Sequence, residues 1–293
     1  MSSHSPGRPS DTVPGTEGAG RSQESSDSSE CLAAQVRSNV LRMTHRAKAP
    51  HVASSLSCVD ILSVLYRDVA VVDPSDPLSP ERDVVIVSKG HAAAALYATL
   101  AGRGFFPVQN LESYCADGSS FVGHVTVGPP GVEFSTGALG HGLPYGVGVA
   151  MAALRQGSFR RVFVVMSDGE QDEGSNWEAA LLAAHHDLAQ LTVVIDRNGL
   201  QSLTTTEQTL ALEPLGDKWR AFGWEVETVN GHNHDELRRA LGISGVRPRC
   251  VIAETVKGHG VSFMENQVEW HYRPPSDENL KEALRLLERG EGR

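Results

Sequence analysis

Two oxygen-bearing side chains, Asp168 and Asn198, stand 30 residues apart, and each follows a short run rich in β-branched residues. Val162–Met166 leads into Ser167-Asp168-Gly169, and Thr192–Ile195 leads into Asp196-Arg197-Asn198-Gly199. That interval is about one strand–helix–strand repeat. It places both residues just past the carboxyl ends of adjacent strands, where open α/β sheets bind their ligands. A carboxylate and an amide oxygen are hard ligands suited to Mg²⁺ or Ca²⁺, and Mg²⁺ completes its octahedron with phosphate and water. Gly169 lets a backbone N–H approach a phosphate closely. Either residue alone would more often cap a helix or a turn. Together they point to a site for a metal-bound phosphate.

The surrounding pattern supplies the scaffold. Apolar or nearly apolar runs of strand length occur at Val84–Val87, Val162–Met166, Thr192–Ile195, Glu225–Val229 and Cys250–Ala253. Such runs suit strands buried on both faces of a parallel sheet. Helical stretches are expected at Cys31–Lys48, Ser57–Val69, Ala92–Gly102, Gly140–Leu154, Trp177–Leu188, Asp235–Leu241 and Asn279–Arg289. The alternation predicts an α/β fold, a doubly wound and mainly parallel sheet flanked by helices. Residues 1–30 are dominated by Ser, Gly, Pro and charge, and are read as a disordered tail ahead of one domain over residues 31–293.

Composition excludes several classes. Lys and Arg total 26 against 36 Asp and Glu, a net charge of −10, which argues against a nucleic-acid partner. The four cysteines, Cys31, Cys58, Cys115 and Cys250, form no CxxC pair, so a reducing, cytoplasmic compartment is expected. No apolar run approaches the roughly 20 residues that span a bilayer, and no membrane partner is expected. An acidic chain can still hold phosphate through a metal and a few local donors.

A strand, then Asp168-Gly169, then Asn198 resembles the signature of thiamine-diphosphate enzymes. Glu173-Gly174 followed by Trp177-Glu178-Ala179 resembles its transketolase version. The likeness runs over nearly all of residues 31–293, through Ser88-Lys89-Gly90-His91, Ser135-Thr136-Gly137-Ala138-Leu139-Gly140, Asp196-Arg197-Asn198-Gly199-Leu200 and Thr255-Val256-Lys257-Gly258. The whole chain resembles the N-terminal subunit of a split transketolase.

The resemblance implies thiamine diphosphate and Mg²⁺ as cofactors, with Ca²⁺ or Mn²⁺ as substitutes for the metal. It implies that Asp168, Asn198 and the carbonyl of Leu200 hold the metal. The N–H groups of Gly169 and Glu170, with Gly137, Leu139 and Lys257, would surround the cofactor, Lys257 as a point charge toward its diphosphate. His51, His91, His124 and His271 match the family's active-site histidines, His124 toward the ketol hydroxyl and His91 nearer the cofactor. Imidazole can move protons near neutral pH. Glu173 and Glu178 would lie at the interface between subunits. His45, His185, His186, His232 and His234 are read as ordinary surface or core histidines.

The sequence departs from the family in places. Ser167 replaces the first glycine of Gly-Asp-Gly, Pro50-His51-Val52-Ala53-Ser54 replaces Gly-His-Pro-Gly-Gly, and His141 stands where glutamine is common. The family's cofactor is activated by a glutamate on a second, pyrimidine-binding domain. Residues 31–293 are taken up by the first domain, so that glutamate is expected on a partner chain, in an α2β2 heterotetramer. The expected reaction moves a two-carbon ketol unit from a ketose to an aldehyde acceptor, with a sugar or sugar phosphate as substrate. Other readings stay open: a subunit like 1-deoxyxylulose-phosphate synthase or a 2-oxo-acid dehydrogenase α chain, or a non-catalytic partner-binding subunit.

Overall fold

The computed structural model describes Met1 and residues 28–290. Most of the proposed tail, residues 2–27, lies outside the described residues. Five strands form one parallel sheet in the order β1-β2-β3-β5-β4. They are β1 (Val84–Val87), β2 (Val162–Ser167), β3 (Leu191–Arg197), β4 (Glu225–Asn230) and β5 (Arg249–Glu254). All five coincide with the runs expected from the sequence, but β4, at the sheet edge, is not buried on both faces: of its residues only Val229 is buried.

The period of two explains the layers. Phe163, Val165, Val194 and Val251 enter one core. Val162, Val164, Met166, Val193 and Ile252 enter the other. The first core is closed by helices α1 (Ser29–Ala47), α3 (Val59–Val64), α4 (Ala93–Gly102), α9 (His234–Gly242) and α10 (Asp277–Arg289). The second is closed by α5 (Gly142–Gln156), α6 (Gly174–His185) and α8 (Leu215–Ala221), with the one-turn α7 (Thr206–Thr209) ahead of α8 in the chain. Truncating a fully buried side chain such as Leu143 would cost about 2–5 kcal/mol.

Three expectations about helices need correction. Helix α1 starts at Ser29, two residues ahead of the expected Cys31, with the Ser28 hydroxyl accepting the Cys31 amide at 3.3 Å. The single helix expected at Ser57–Val69 is instead α2 (Val52–Ser57), α3 and a π-turn (Leu65–Val69). Every residue from Val52 to Val64 is buried, so no polar face marks where one helix stops. Helix α8 is not among the expected helices, because its buried pair Leu215 and Trp219 sits in an otherwise polar run. Among the described residues no helix is long and apolar enough to cross a membrane.

Candidate active site

The carboxyl ends of β1, β2, β3 and β5 converge on a cavity of about 250 Å³. Its lining includes His51, His91, His124, His271, Gly137, Leu139, Asp168, Gly169, Asn198, Leu200 and Lys257, all of them candidates on sequence grounds. Ser54, Lys89, Ser167, Gln201, Ser202 and Tyr272 line it as well. Lys89 belongs to the Ser88–His91 motif, where its neighbour His91 carries the more obvious chemistry.

The floor is built from strand ends. Ser167 of β2 pairs in register with Asp196 of β3, which sets Asp168 and Asn198 just beyond the ladder. Asp168 is buried, and its carboxylate accepts from the amides of Gly169 at 2.8 Å and Gly199 at 2.6 Å. Burial and the nearby Asp196 both raise its proton affinity. Arg197 approaches Asp168 at 3.2 Å, but shares its guanidinium with Glu207 at 3.2 Å and Glu213 at 3.0 Å.

Asn198 donates its amide N–H to the Ser57 hydroxyl at 3.1 Å, and its Oδ1 accepts the Leu200 amide at 3.1 Å. Ser57 in turn donates to Asp196 at 2.6 Å. Asp196 is fully buried and forms an ion pair with the equally buried Lys89. Burial works against both charges. Lys89 nonetheless holds the Asp196 carboxyl below its ordinary range, and Asp196 holds the ammonium above its own. Removing one member of such a pair costs about 3–5 kcal/mol.

The wall is histidine. His51 lies at the centre, its ring edge-on to His91 at 5.5 Å, His124 at 5.4 Å and His271 at 5.0 Å. Its backbone takes the left-handed conformation, φ 72°, just ahead of α2, and its amide donates to the His271 carbonyl at 2.7 Å. A non-glycine residue there costs roughly 1–2 kcal/mol. The loop that lost three glycines relative to the family thus still turns His51 into the cavity. His91 follows Gly90, where an added Cβ would sit 2.3 Å from the Thr136 carbonyl oxygen. Only glycine allows that approach, which packs the Thr136–Gly137 backbone against the histidines.

Burial first, then neighbouring charge, keeps the rings of His51, His91 and His271 neutral. His51 is pushed down to about 4 by burial, His124 and Lys257, and His271 to about 3 by burial, Lys257 and His51. His91 lies well below the ordinary value through burial and Lys89. Lys257 donates to the carbonyls of Leu200 at 3.1 Å and Gln201 at 2.9 Å, and to His271 Nδ1 at 3.2 Å. Burial and the proximity of Lys89 lower its ammonium to about 8.

Other expected residues fall elsewhere. The expectation for Glu170 concerns its N–H; its side chain does not line the cavity. Its carboxylate is buried behind it, accepting from Ser88, from the Gly140 amide at 3.0 Å and from the Ser167 amide at 3.2 Å. Its part is to brace the loop that follows β2. Ser167 does not take a positive φ, so serine is accommodated in place of glycine. Glu173 and Glu178 are exposed, and Leu181 and Leu182 are exposed on the same helix, α6, as Glu178.

The floor fits a divalent cation carrying a diphosphate. It offers a carboxylate, the Asn198 amide oxygen, which also accepts the Leu200 N–H, and the Leu200 carbonyl, which also accepts from Lys257, all hard donors. The buried Asp168, next to Asp196 and facing a guanidinium that it shares with two other carboxylates, is a place where a cation relieves repulsion. Gly137 faces open space, with nothing near an added Cβ.

Residues 28–287 match the family model described as "Transketolase, thiamine diphosphate binding domain". The chain is 41% identical over 252 residues to an apulose-4-phosphate transketolase subunit from Phocaeicola vulgatus, covering 85% of this chain and 90% of that one. It is 38% identical over 247 residues to a 6-deoxy-6-sulfo-D-fructose transketolase subunit of Clostridium, covering 82% and 88%. Among solved structures, the transketolase of Campylobacter jejuni superposes with a TM-score of 0.82 at 29% identity. That match covers 88% of this chain and 42% of that one, so the chain spans about two fifths of the solved protein.

Proposed function

The chain belongs to the transketolase family through its thiamine-diphosphate-binding domain, and on that premise we propose that it is one subunit of a two-component transketolase, active with a partner chain that carries the pyrimidine-binding domain. The observation that carries the reading is the single cavity that gathers an oxygen-ligand floor, Lys257 and four histidines from distant parts of the chain. The relatives' names support the division into two chains, since both are called transketolase subunits.

Thiamine diphosphate, when bound, supplies the nucleophilic carbon that takes up and hands on a two-carbon ketol unit. Asp168, Asn198 and the Leu200 carbonyl hold Mg²⁺, and Lys257 turns its ammonium to the diphosphate. His271 accepts from Lys257 at Nδ1, so its own proton sits on Nε2, free to donate to a substrate oxygen. With their proton affinities depressed, His51, His91 and His271 act as neutral donors and acceptors. They stabilise charge on a ketose oxygen by N–H donation or receive a hydroxyl proton. His124 takes the ketol hydroxyl.

The donor is a ketose with a terminal anion, in keeping with the phosphate and sulfo groups in the relatives' names. Glu173, Glu178 and the exposed Leu181 and Leu182 form the surface that meets a second chain, in an α2β2 assembly. Four unpaired cysteines support a reducing, cytoplasmic setting. The test is reconstitution with Mg²⁺, thiamine diphosphate, a ketose donor and an aldose acceptor. Transfer is expected only when both chains are present, and transfer by this chain alone would overturn the split-site reading.

A further inference from the structure

A second cluster of titratable side chains lies behind Lys257, outside the cavity. Asp60 is buried in α3, and its carboxylate accepts from Arg37, from His232 Nδ1 at 2.7 Å and from His234 Nε2 at 3.0 Å. On its far side the His232 ring accepts the backbone amide of Val256 at Nε2, at 2.8 Å. The ring of His259 stacks on that of His232, centroids 3.5 Å apart and 18° from parallel. His232 therefore grips the residue before Lys257 by a hydrogen bond and the second residue after it by stacking.

Asp60, His232 and His259 are close enough to hold a metal, with ligand atoms within 4.8 Å of one another. The hydrogen bonds argue otherwise. Both His232 nitrogens are committed, Nδ1–H to Asp60 and the Nε2 lone pair to Val256. Asp60 already carries a guanidinium and two imidazoles.

We propose that His232, oriented by Asp60, is a positioning residue that fixes the Val256-Lys257 backbone and so aims the Lys257 ammonium into the cavity. The segment leaves β5 with Thr255 bonded to the Arg197 carbonyl at 3.1 Å and Gly258 to the Ala53 carbonyl at 3.0 Å. Between those anchors His232 supplies a side-chain hold on the Val256 amide. Gly258 turns the chain sharply after it, at φ 83°, where an added Cβ would meet the Met264 carbonyl oxygen at 2.5 Å. Lys257 is thus set by a fixed turn on one side and by an imidazole on the other. The link to cofactor binding rests on the assignment of Lys257 to the diphosphate.

The test compares His232→Gln, His232→Asn and Lys257→Ala in the full chain with its partner, by titration with thiamine diphosphate and Mg²⁺. Amide hydrogen exchange at Val256 is followed in the same variants. Glutamine keeps an oxygen near the Nε2 position for the Val256 amide. Asparagine reaches only toward Asp60. His232→Asn should speed exchange at Val256 and weaken cofactor binding about ten- to hundredfold, as loss of an orienting partner does. His232→Gln should recover most of both. Equal effects of the two variants, or unchanged exchange and affinity in His232→Asn, would overturn the proposal. If Lys257→Ala binds the cofactor normally, the diphosphate role of Lys257 fails. The clamp is then decided by exchange alone: faster Val256 exchange in the Asn variant but not the Gln variant upholds it, and any other pattern overturns it.

Discussion

The floor and the wall of the cavity are built on opposite terms. On the floor, Asp168, Asp196, Asn198, Ser57, Thr255 and Lys89 bond to one another or to backbone amides. On the wall, the ring nitrogens of His51, His91 and His124 have no hydrogen-bond partner among the described residues. Only His271 is tied, to Lys257. A network satisfied within the chain holds its geometry before any ligand arrives, which suits a cation and a diphosphate that stay bound. Rings without partners keep their donors and acceptors for a substrate that comes and goes. Losses on the floor should therefore read as lost cofactor, and losses on the wall as lost turnover.

The largest effect belongs to the floor. Asp168→Ala should abolish thiamine diphosphate binding in the complex, along with the stabilisation that the cofactor gives against heat. Calorimetric titration with Mg²⁺ present checks it, and an affinity equal to the unaltered protein would remove Asp168 from the ligand set. His271→Ala should lower turnover roughly 10²–10⁴-fold, the loss typical of a positioned proton-transfer group, while cofactor affinity changes little. Steady-state kinetics beside the same titration separates the two, and full activity would take His271 out of the mechanism.

Lys257 stands where the regions meet, and its effect is the smallest. Its ammonium titrates near 8 in the free chain, and a diphosphate beside it would raise that value. The bound state then holds more protons than the free state, so affinity is greatest below pH 8 and falls as pH rises through it. Between pH 7.5 and 9.5 the dissociation constant should rise about tenfold. Lys257→Met should flatten that slope, and a slope that persists would assign it to another group.

The floor is the more legible of the two regions. Asp168 and Asn198 announce themselves because one strand–helix–strand repeat separates them in sequence. Strands β1, β2, β3 and β5 are legible for a related reason, since continuous apolar runs rich in β-branched residues have few other uses; β4 alternates charged and β-branched residues, as an edge strand does. The groups behind the floor are not. Lys89 and Asp196 are 107 residues apart, and Asp60 and His232 are 172 apart. No local spacing records such a pairing. The turn of the Glu170 carboxylate behind the cavity is not legible either, because a strand end fixes where a backbone amide lies and not which way the next side chain turns. Histidines sort poorly for the same reason. His232 carries no local signal that separates it from the exposed His185, and only the Val256 amide at 2.8 Å marks it out.

The buried Lys89–Asp196 pair also gives the floor its own thermal behaviour. Hydration of ions becomes less favourable as temperature rises, so the cost of keeping this pair dry falls on warming. Apolar burial gains little further over the same range. Heating therefore weighs less on the strand ends than on the packing of the helices that surround them. The cleft floor should keep its arrangement up to the cooperative melting of the whole domain, with the peripheral helices the first to loosen.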